Sequence, residues 1–423
     1  MAGLFTRLLK QDLASQAGFL LVTTVTGYAF SYLYLVFMGR LLGPEVFGIL
    51  GALFAIFYIA CLVGQALRGA IATRVAEVKA QAGEATAVST FIKQGIKISL
   101  LCLVPCIAFI IAAQPVATFF HLSDRGPIII LAFSLFTALV LDIVQGLQQG
   151  LQKFRALGIS GYLTSPGLKV VLGVGFVLAG WGLSGAVGAL FASTAIATVV
   201  ALVLVRKPLA GRAKGPGQHS SGIGPILLPT LILAIFLSMP TSIDVILVTH
   251  YFGGTDAGLY SAMATVGKVV IFLPMAVSFI LLPRATEDNT LGRDTSKILL
   301  WSLALVFLLS GSVVIVCWAF PGLIVNLFFG EAYTGAKALL GFYAAAMLVF
   351  SLNSVLIHYS LAVRQWWLMI LADAVTILEV VLIVLRRQTI SGIIWVLLFG
   401  NLLIFIFSLG YFVFNRFGRS NRD

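Results

Sequence analysis

Charged residues are scarce in this 423-residue chain, at 10% of the sequence. Soluble globular domains carry roughly 25%, and so few charges cannot cover a surface exposed to water. Hydrophobic residues make up 60% of the chain. These proportions exclude a soluble enzyme, a disordered chain and a nucleic-acid-binding domain. The net charge of +12 comes from cations scattered over many short loops, so we expect no nucleic-acid partner.

Cysteines are also few, and catalytic motifs are missing. The four cysteines, at 61, 102, 106 and 317, lie in or beside apolar runs without zinc or disulfide spacing. The chain has no GxxxxGK[ST] loop for ATP, no HExxH and no GxSxG. The sequence therefore predicts a protein that is not an enzyme, with no metal, no resident cofactor and no direct use of ATP.

Long apolar runs are abundant, and they predict a polytopic membrane protein. A spanning helix needs about 20 apolar residues, so twelve of them use about 240. Uniform hydrophobicity over each run favours helices over barrel strands, which alternate. The fold class is therefore all-α with twelve transmembrane helices. The predicted spans are 16–38, 48–67, 94–113, 128–149, 157–179, 184–205, 226–249, 259–282, 298–318, 338–361, 367–385 and 392–414.

The lysines and arginines predict the orientation of these spans. With the N-terminus inside, the cytoplasmic loops hold 20 cations and the opposite loops hold five. This asymmetry places both termini in the cytoplasm. A basic segment rich in Gly, Pro and Ser, residues 206–224, has the composition of a linker. It predicts an N-lobe of six helices at 1–205 and a C-lobe of six at 225–423.

The two halves resemble each other at an offset of 210 residues. Because each half has an even number of spans, both halves enter the membrane in the same direction. Such halves are normally related by a pseudo-two-fold axis along the membrane normal, with the substrate path between them. The matched pairs are Gly43 with Gly253, Gly48 with Gly258, Ala52 with Ala262, Arg74 with Arg284, and Glu77 with Glu287.

Four stretches resemble a known family. They are GRLLGPEVFGIL (39–50), QGLQQGLQKFRALG (145–158) followed by GWGLSGAVGAL (180–190), SIDVILVTHYFGGTDAGLYSAMATVGK (242–268) and LIVNLFFGEAYTGA (323–336). In this order they resemble the Wzx-like polysaccharide flippases of the multidrug/oligosaccharidyl-lipid/polysaccharide (MOP) exporter superfamily. The likeness covers nearly the whole chain.

The resemblance implies two six-helix lobes around a central cavity that opens alternately to the two sides of the bacterial inner membrane. It implies a substrate of sugars linked through pyrophosphate to undecaprenol, such as an O-antigen or exopolysaccharide unit. Membrane lipid, a polymerase and glycosyltransferases are the expected partners. The alternatives are a cation-coupled multidrug exporter, a lipid II flippase or a scaffold for glycosyltransferases. Lipid II flippases commonly have fourteen spans, which disfavours that alternative.

Ionisable groups within the spans are candidates for function, because each costs about 2.5–3.5 kcal/mol at a helix centre. Lys268 lies near the midplane and is predicted to bind the pyrophosphate or an acidic sugar. The alternative is an ion pair with Asp244. Arg68 and Arg364 are predicted to capture phosphate at the inner mouth, or else to be ordinary positive-inside anchors. The full set within the spans is Asp142, Lys169, Asp244, Lys268, Asp373 and Glu379.

Asp142 and Asp244 are the candidates for coupling to H⁺ or Na⁺, since a cation can cancel their charge. The alternative for them is hydrogen bonding to Gln145 or Lys169, which are assigned to lobe packing or to the cavity. Two polar residues of span 10 complete the predicted substrate site as cavity-lining groups, or else they join helices. They are Asn353 and His358.

Overall fold

The computed structural model describes residues 2–209, 235, 239, 241–271, 295–363 and 367–420. No β-strand occurs in this part of the chain. Eight helical segments within it are long and apolar enough to span a membrane. Two of these, Gly18–Ala82 and Phe154–Val205, each cover two predicted spans. The prediction of an all-α, multi-pass membrane protein is confirmed.

Some sequence predictions fall outside the described residues. Spans 7 and 8 are described only in part, and most of the 206–224 linker is not described. The repeat pairs that involve Arg284 and Glu287, and the predicted phosphate ligand Arg364, also lie outside the described residues. The proposed lobe boundaries, 1–205 and 225–423, therefore stay predictions.

The chain divides into two compact units. Unit 1 comprises Met1–Leu42 and Phe57–Ala234, and unit 2 comprises Gly43–Ile56 and Ile235–Asp423. The short segment Gly43–Ile56 thus packs with residues that follow it by about 200 positions. The chain enters unit 2 after Leu42 and re-enters unit 1 at Phe57.

Unit 1 is a helical bundle in which α6 packs against α2 and α9, and α8 packs against α9. Two π-helical turns, Gly158–Thr164 and Val177–Trp181, interrupt the helix that contains α7 and α8. The helices, the first of which continues into unit 2, are α1 (Ala2–Ala60), α2 (Leu62–Ala82), α3 (Glu84–Leu101), α4 (Leu103–Ile111), α5 (Ala113–Phe119), α6 (Gly126–Gly150), α7 (Phe154–Leu157), α8 (Ser165–Phe176) and α9 (Gly182–Leu209).

Unit 2 contains the rest of the described helices, among which α14 packs against α11, α12 and α16. A 3₁₀ turn, Glu331–Ala336, precedes α14. The helices are α10 (Ile243–Tyr251), α11 (Gly254–Gly267), α12 (Ser296–Ala319), α13 (Pro321–Phe328), α14 (Lys337–Ala362), α15 (Trp367–Leu385) and α16 (Ile390–Ser420).

Glycines break the first pair of spans in each half at equivalent positions. Gly43 has φ of 73°, and Pro44 follows it at the start of the next helical stretch. Gly253, 210 residues later, has φ of 60° and precedes α11. A positive φ ends a helix at low cost only in glycine, and proline is well suited to a first helical turn. The two halves therefore share the same backbone break.

The helices follow the 210-residue repeat. Residue 126, where α6 begins, corresponds to 336, and α14 begins at Lys337. Within unit 2, the equivalent glycines Gly48 and Gly258 lie against each other. A methyl group built on Gly48 would lie 2.7 Å from the Gly258 nitrogen. One built on Gly51 would lie 2.6 Å from Oγ of Ser261, the residue that corresponds to Gly51 in the second half. The repeat predicted from loops thus extends to packed helix faces.

Candidate functional site

A polar cluster inside unit 1 joins two residues for which the sequence predicts separate roles. Arg68 Nη1 donates a hydrogen bond to Gln145 Oε1 at 3.0 Å and lies 3.6 Å from Asp142 Oδ1. The Arg68 side chain is 26% exposed and that of Asp142 is 15% exposed. Arg68 is therefore the cationic partner of Asp142, and Gln145 competes with Asp142 for the same nitrogen.

Helix spacing and small residues create this cluster. Asp142 and Gln145 are three residues apart on α6, and Gly64 and Arg68 are four apart on α2, so each pair shares a helix face. A methyl group on Gly64 would overlap Asp142 Oδ2, so glycine is needed for the carboxylate to lie against α2. The close packing holds Asp142 beside Arg68.

Lys169 lies elsewhere in unit 1 and does not pair with Asp142. Its Nζ is 5.1 Å from the centre of the Tyr34 ring, a distance suited to a cation–π interaction. The Tyr34 hydroxyl donates to the Ala186 carbonyl at 2.8 Å. Lys169 is 6% exposed. Gln145, the other alternative partner considered for Asp142, contacts the same Arg68 nitrogen as the carboxylate does.

In unit 2, Asp244 is fully buried and accepts two tyrosine hydrogen bonds. The hydroxyls of Tyr260 and Tyr343 both donate to its Oδ2 at 2.9 Å, while Oδ1 has no hydrogen-bond partner in the part of the chain that the structure describes. Lys268 makes no ion pair with Asp244 within 4.0 Å, although it lies close enough to interact with it electrostatically. The tyrosines, rather than the lysine, hold this carboxylate.

A second buried acid of unit 2, Glu379, lies in an amide network. Asn401 Nδ2 is 3.4 Å from Glu379 Oε1, and Asn353 Nδ2 donates to the Asn401 carbonyl at 2.8 Å. Asn353 is fully buried, and none of the described residues hydrogen bonds to its Oδ1. It joins α14 to α16 in this structure, in keeping with the alternative given for it, and its role in substrate binding stays a prediction.

His358 is half-buried, and its Nδ1 lies 2.6 Å from the Ser354 carbonyl one turn earlier on α14. This local bond fixes the ring to its own helix.

The structure brings together Arg68, Asp142 and Gln145 in unit 1. Lys169 of unit 1 contacts Tyr34, and the remaining described candidates, Asp244, Lys268, Asn353 and His358, belong to unit 2.

Sequence reasoning missed the tyrosines and Asn401. Tyr260 and Tyr343 contribute to apolar runs, and nothing in their spacing indicates that both reach one carboxylate 16 and 99 residues before them. Asn401 offers a weak signal, because a polar residue in a span is often hydrogen bonded to another helix. Among the described residues, no three His, Cys, Asp or Glu side chains come together as a metal site.

Gly400 makes room for Glu379, and replacing it tests the amide network. A methyl group there would overlap Glu379 Oε1 and crowd its Cδ. We expect Gly400→Ala to lower the melting temperature of the purified protein, because Glu379 would have to leave Asn401. Gly410→Ala is the matched control, since the space beside Gly410 on the same helix is open. There alanine should be neutral or stabilising. Equal melting temperatures for the two variants would contradict the described packing.

Comparison with known proteins identifies the class of fold. The chain is similar to an inward-facing multidrug resistance MATE family transporter of the MOP superfamily, with a TM-score of 0.76 and 14% identity over 90% of this chain and 94% of that one. It is also similar to an outward-facing MATE family transporter of the same superfamily, with a TM-score of 0.69 and 14% identity over 96% of each chain. A third similar structure is the lipid II flippase MurJ in an inward closed conformation, with a TM-score of 0.69 and 13% identity over 92% of this chain and 87% of that one.

The fold is therefore that of the MOP-superfamily transporters. The profile of the family described as polysaccharide biosynthesis protein matches residues 13–287, which is more than half of the chain. The chain belongs to that family. No curated protein sequence matches it. The superfamily predicted from the motifs is confirmed, and the relatives are transporters and flippases rather than enzymes.

Proposed function

We propose that the protein moves an undecaprenyl-pyrophosphate-linked oligosaccharide, such as an O-antigen or exopolysaccharide repeat unit, from the inner to the outer leaflet of the bacterial inner membrane. Alternating access is the proposed mechanism. The observation that carries this proposal is the match to a polysaccharide biosynthesis family over residues 13–287 in a chain with a flippase fold. A similar protein is a flippase of lipid II.

The charges inside the spans support a diphosphate substrate. A diphosphate cannot enter the hydrocarbon region without a cationic partner, because an unpaired charge there is costly. Arg68 offers a planar guanidinium that can bind phosphate oxygens in pairs, and it is partly exposed. Lys268 offers a point charge, is half-buried, and has no ion pair within 4.0 Å among the described residues. Arg68 in unit 1 and Lys268 in unit 2 are therefore the proposed phosphate ligands, each considered within its own unit.

Asp244 is the proposed coupling residue for H⁺ or Na⁺, with Asp142 as a second candidate. Asp244 is 0% exposed and its Oδ1 has no hydrogen-bond partner among the described residues, so a proton or a small cation would satisfy this acceptor. Glu379 on α15 lies near enough to interact electrostatically with Asp244. An ion held here would compensate carboxylates that helix packing keeps out of water.

The proposed orientation has both termini in the cytoplasm, as the 20 to 5 distribution of cations predicts. Glycosyltransferases that build the lipid-linked glycan on the cytoplasmic leaflet would then supply the substrate. A polymerase on the opposite side would consume it. Consumption of the product can pull translocation forward without ATP.

Lys268→Gln tests the proposed substrate contact. We expect the variant to flip a fluorescent undecaprenyl-pyrophosphate-linked glycan in proteoliposomes at least tenfold more slowly, since the ammonium no longer faces the phosphates. Lys337→Gln, which removes an exposed lysine at the start of α14, is the control and should retain the wild-type rate. Deleting the gene should leave the lipid-linked glycan on the cytoplasmic leaflet. A normal surface glycan in the deletion strain would refute the proposed function, and normal flipping by Lys268→Gln would refute only the site.

A cation-coupled drug exporter is the second candidate, favoured by the similarity to a multidrug transporter and by the buried Asp244. It predicts that the deletion strain loses resistance to cationic dyes while its surface glycan stays normal. A lipid II flippase would instead restore growth when the cell's own lipid II flippase is depleted. A scaffold for glycosyltransferases would tolerate Lys268→Gln. Glycan and dye assays on the same deletion strain separate these outcomes.

A further inference from the structure

The Arg68–Asp142 contact links the proposed phosphate ligand to a buried acid. We propose that Asp142 is a displaceable counter-ion: the diphosphate group of the substrate replaces Asp142 on Arg68, and the displaced carboxylate limits how tightly the substrate is held. This inference rests on the proposed function. It makes Asp142 and Gln145 positioning residues that set the affinity for the diphosphate.

The geometry of Arg68 favours exchange over a permanent ion pair. A strong charge-assisted hydrogen bond has its heavy atoms about 2.7–2.9 Å apart, whereas Arg68 Nη1 lies 3.6 Å from Asp142 Oδ1. The closer contact of this nitrogen, at 3.0 Å, is with the neutral amide of Gln145. Both of these contacts use a single nitrogen of a group with five N–H donors, and the guanidinium also has a side-chain hydrogen bond with Tyr162. A diphosphate that binds through two nitrogens would therefore compete well with the carboxylate.

Asp142 is packed closely against α2 and has little contact with solvent. Its Oδ2 lies against Gly64, where a methyl group would not fit, and its side chain is 15% exposed. The thiols of Cys61 and Cys102 lie near enough to interact with it electrostatically but offer no positive charge. Once Arg68 turns to the substrate, Asp142 is a carboxylate without its counter-charge, which is unfavourable.

That unfavourable charge is useful in a transporter. A site that binds its substrate too tightly does not release it on the other side, and passage needs binding that is strong enough to enter and weak enough to leave. Asp142 makes the affinity for the diphosphate lower than Arg68 alone would give. When the diphosphate departs, the carboxylate regains the guanidinium, so the same pair favours release.

The experiment measures binding of undecaprenyl diphosphate to the full-length protein in lipid nanodiscs, for the wild type, Asp142→Asn and Gln145→Glu. Asp142→Asn should bind about five- to tenfold more tightly and flip more slowly at saturation, because release becomes slow. Gln145→Glu should bind at least fivefold more weakly, because a second carboxylate then competes for Nη1. Asp256→Asn, an exposed carboxylate in unit 2, is the matched control and should match the wild type.

Inorganic pyrophosphate is the second probe, which separates the headgroup from the lipid. It should bind more weakly overall but show the same tightening in Asp142→Asn. When Arg68→Gln is already present, adding Asp142→Asn should not increase the binding affinity for either probe. Weaker or unchanged binding by Asp142→Asn, with Asp256→Asn unaffected, would show that Asp142 merely orients Arg68 and would overturn the inference. If Asp142→Asn does not fold, Gln145→Glu decides, and unchanged binding there overturns it. Absence of any wild-type binding to undecaprenyl diphosphate would instead contradict the proposed function.

Discussion

Asp244→Ala is expected to destabilise the protein by about 3–5 kcal/mol, since it removes the acceptor shared by two buried hydroxyls. Tyr260 and Tyr343 both donate to Asp244 Oδ2, and all three side chains are at most 1% exposed. Each unpaired hydroxyl costs about 1–3 kcal/mol, and truncation leaves a cavity as well. The measurement is thermal unfolding of the purified protein, monitored by intrinsic protein fluorescence or by light scattering.

Asp244→Asn separates the structural role of the residue from its charge. The amide oxygen still accepts the tyrosine hydrogen bonds, so we expect a loss of only about 1 kcal/mol. If Asp244 carries the coupling ion, the variant should flip lipid-linked glycan at a rate that no longer responds to imposed Na⁺ or H⁺ gradients. A rate that still responds as in the wild type would move the coupling site away from Asp244. Asp256→Asn, which removes an exposed carboxylate of the same unit, is the control and should keep the gradient response.

Gly258→Val is the second substitution for which we expect a large effect. Any side chain at Gly258 would overlap the backbone carbonyl of Pro44, and a backbone cannot turn aside as a flexible side chain can. The α11 helix and the Gly43–Ile56 segment would have to separate. Overpacking a tight contact typically costs about 1–3 kcal/mol, and a clash with backbone belongs at or above the upper end of that range.

The measurement for Gly258→Val is the yield of folded monomer in size-exclusion chromatography together with its melting temperature. Gly311→Val is the matched control, because Gly311 lies within a helix of the same unit with open space beside it. It should remain folded with little change in melting temperature. Wild-type behaviour of Gly258→Val would mean that the two helices do not cross closely at this point.

The sequence predicts the helices and their breaks because these depend on local composition. Apolar runs identify the spans, and the Gly43–Pro44 and Gly253–Gly254 steps identify where two of them begin. The repeat of 210 residues could be recognised because backbone requirements recur at equivalent loops. These features need no knowledge of which helices touch.

The partners within the site could not be predicted in the same way. The contact between Arg68 and Asp142 depends on the rotation of α2 against α6, and Gly64, which permits that rotation, resembles many other glycines in the chain. Likewise Lys268 and Asp244 are opposite charges on adjacent spans, yet tyrosines occupy the place beside the carboxylate. Side-chain pairing follows tertiary packing, which hydrophobicity patterns do not encode.

The position of Gly43–Ile56 in unit 2 has a consequence for biosynthesis. Phe47 of this segment is fully buried against Phe329 and Tyr333, at ring-centroid distances of 5.5 and 6.1 Å. A ribosome adds about 5–20 residues per second, so the segment waits roughly 10–40 s for α11, which is encoded about 210 residues later. During that time its glycine face and its aromatic ring must be covered by lipid or by the insertion machinery. A nascent chain released before α11 would therefore expose an unfinished helix surface, which quality-control proteases can recognise.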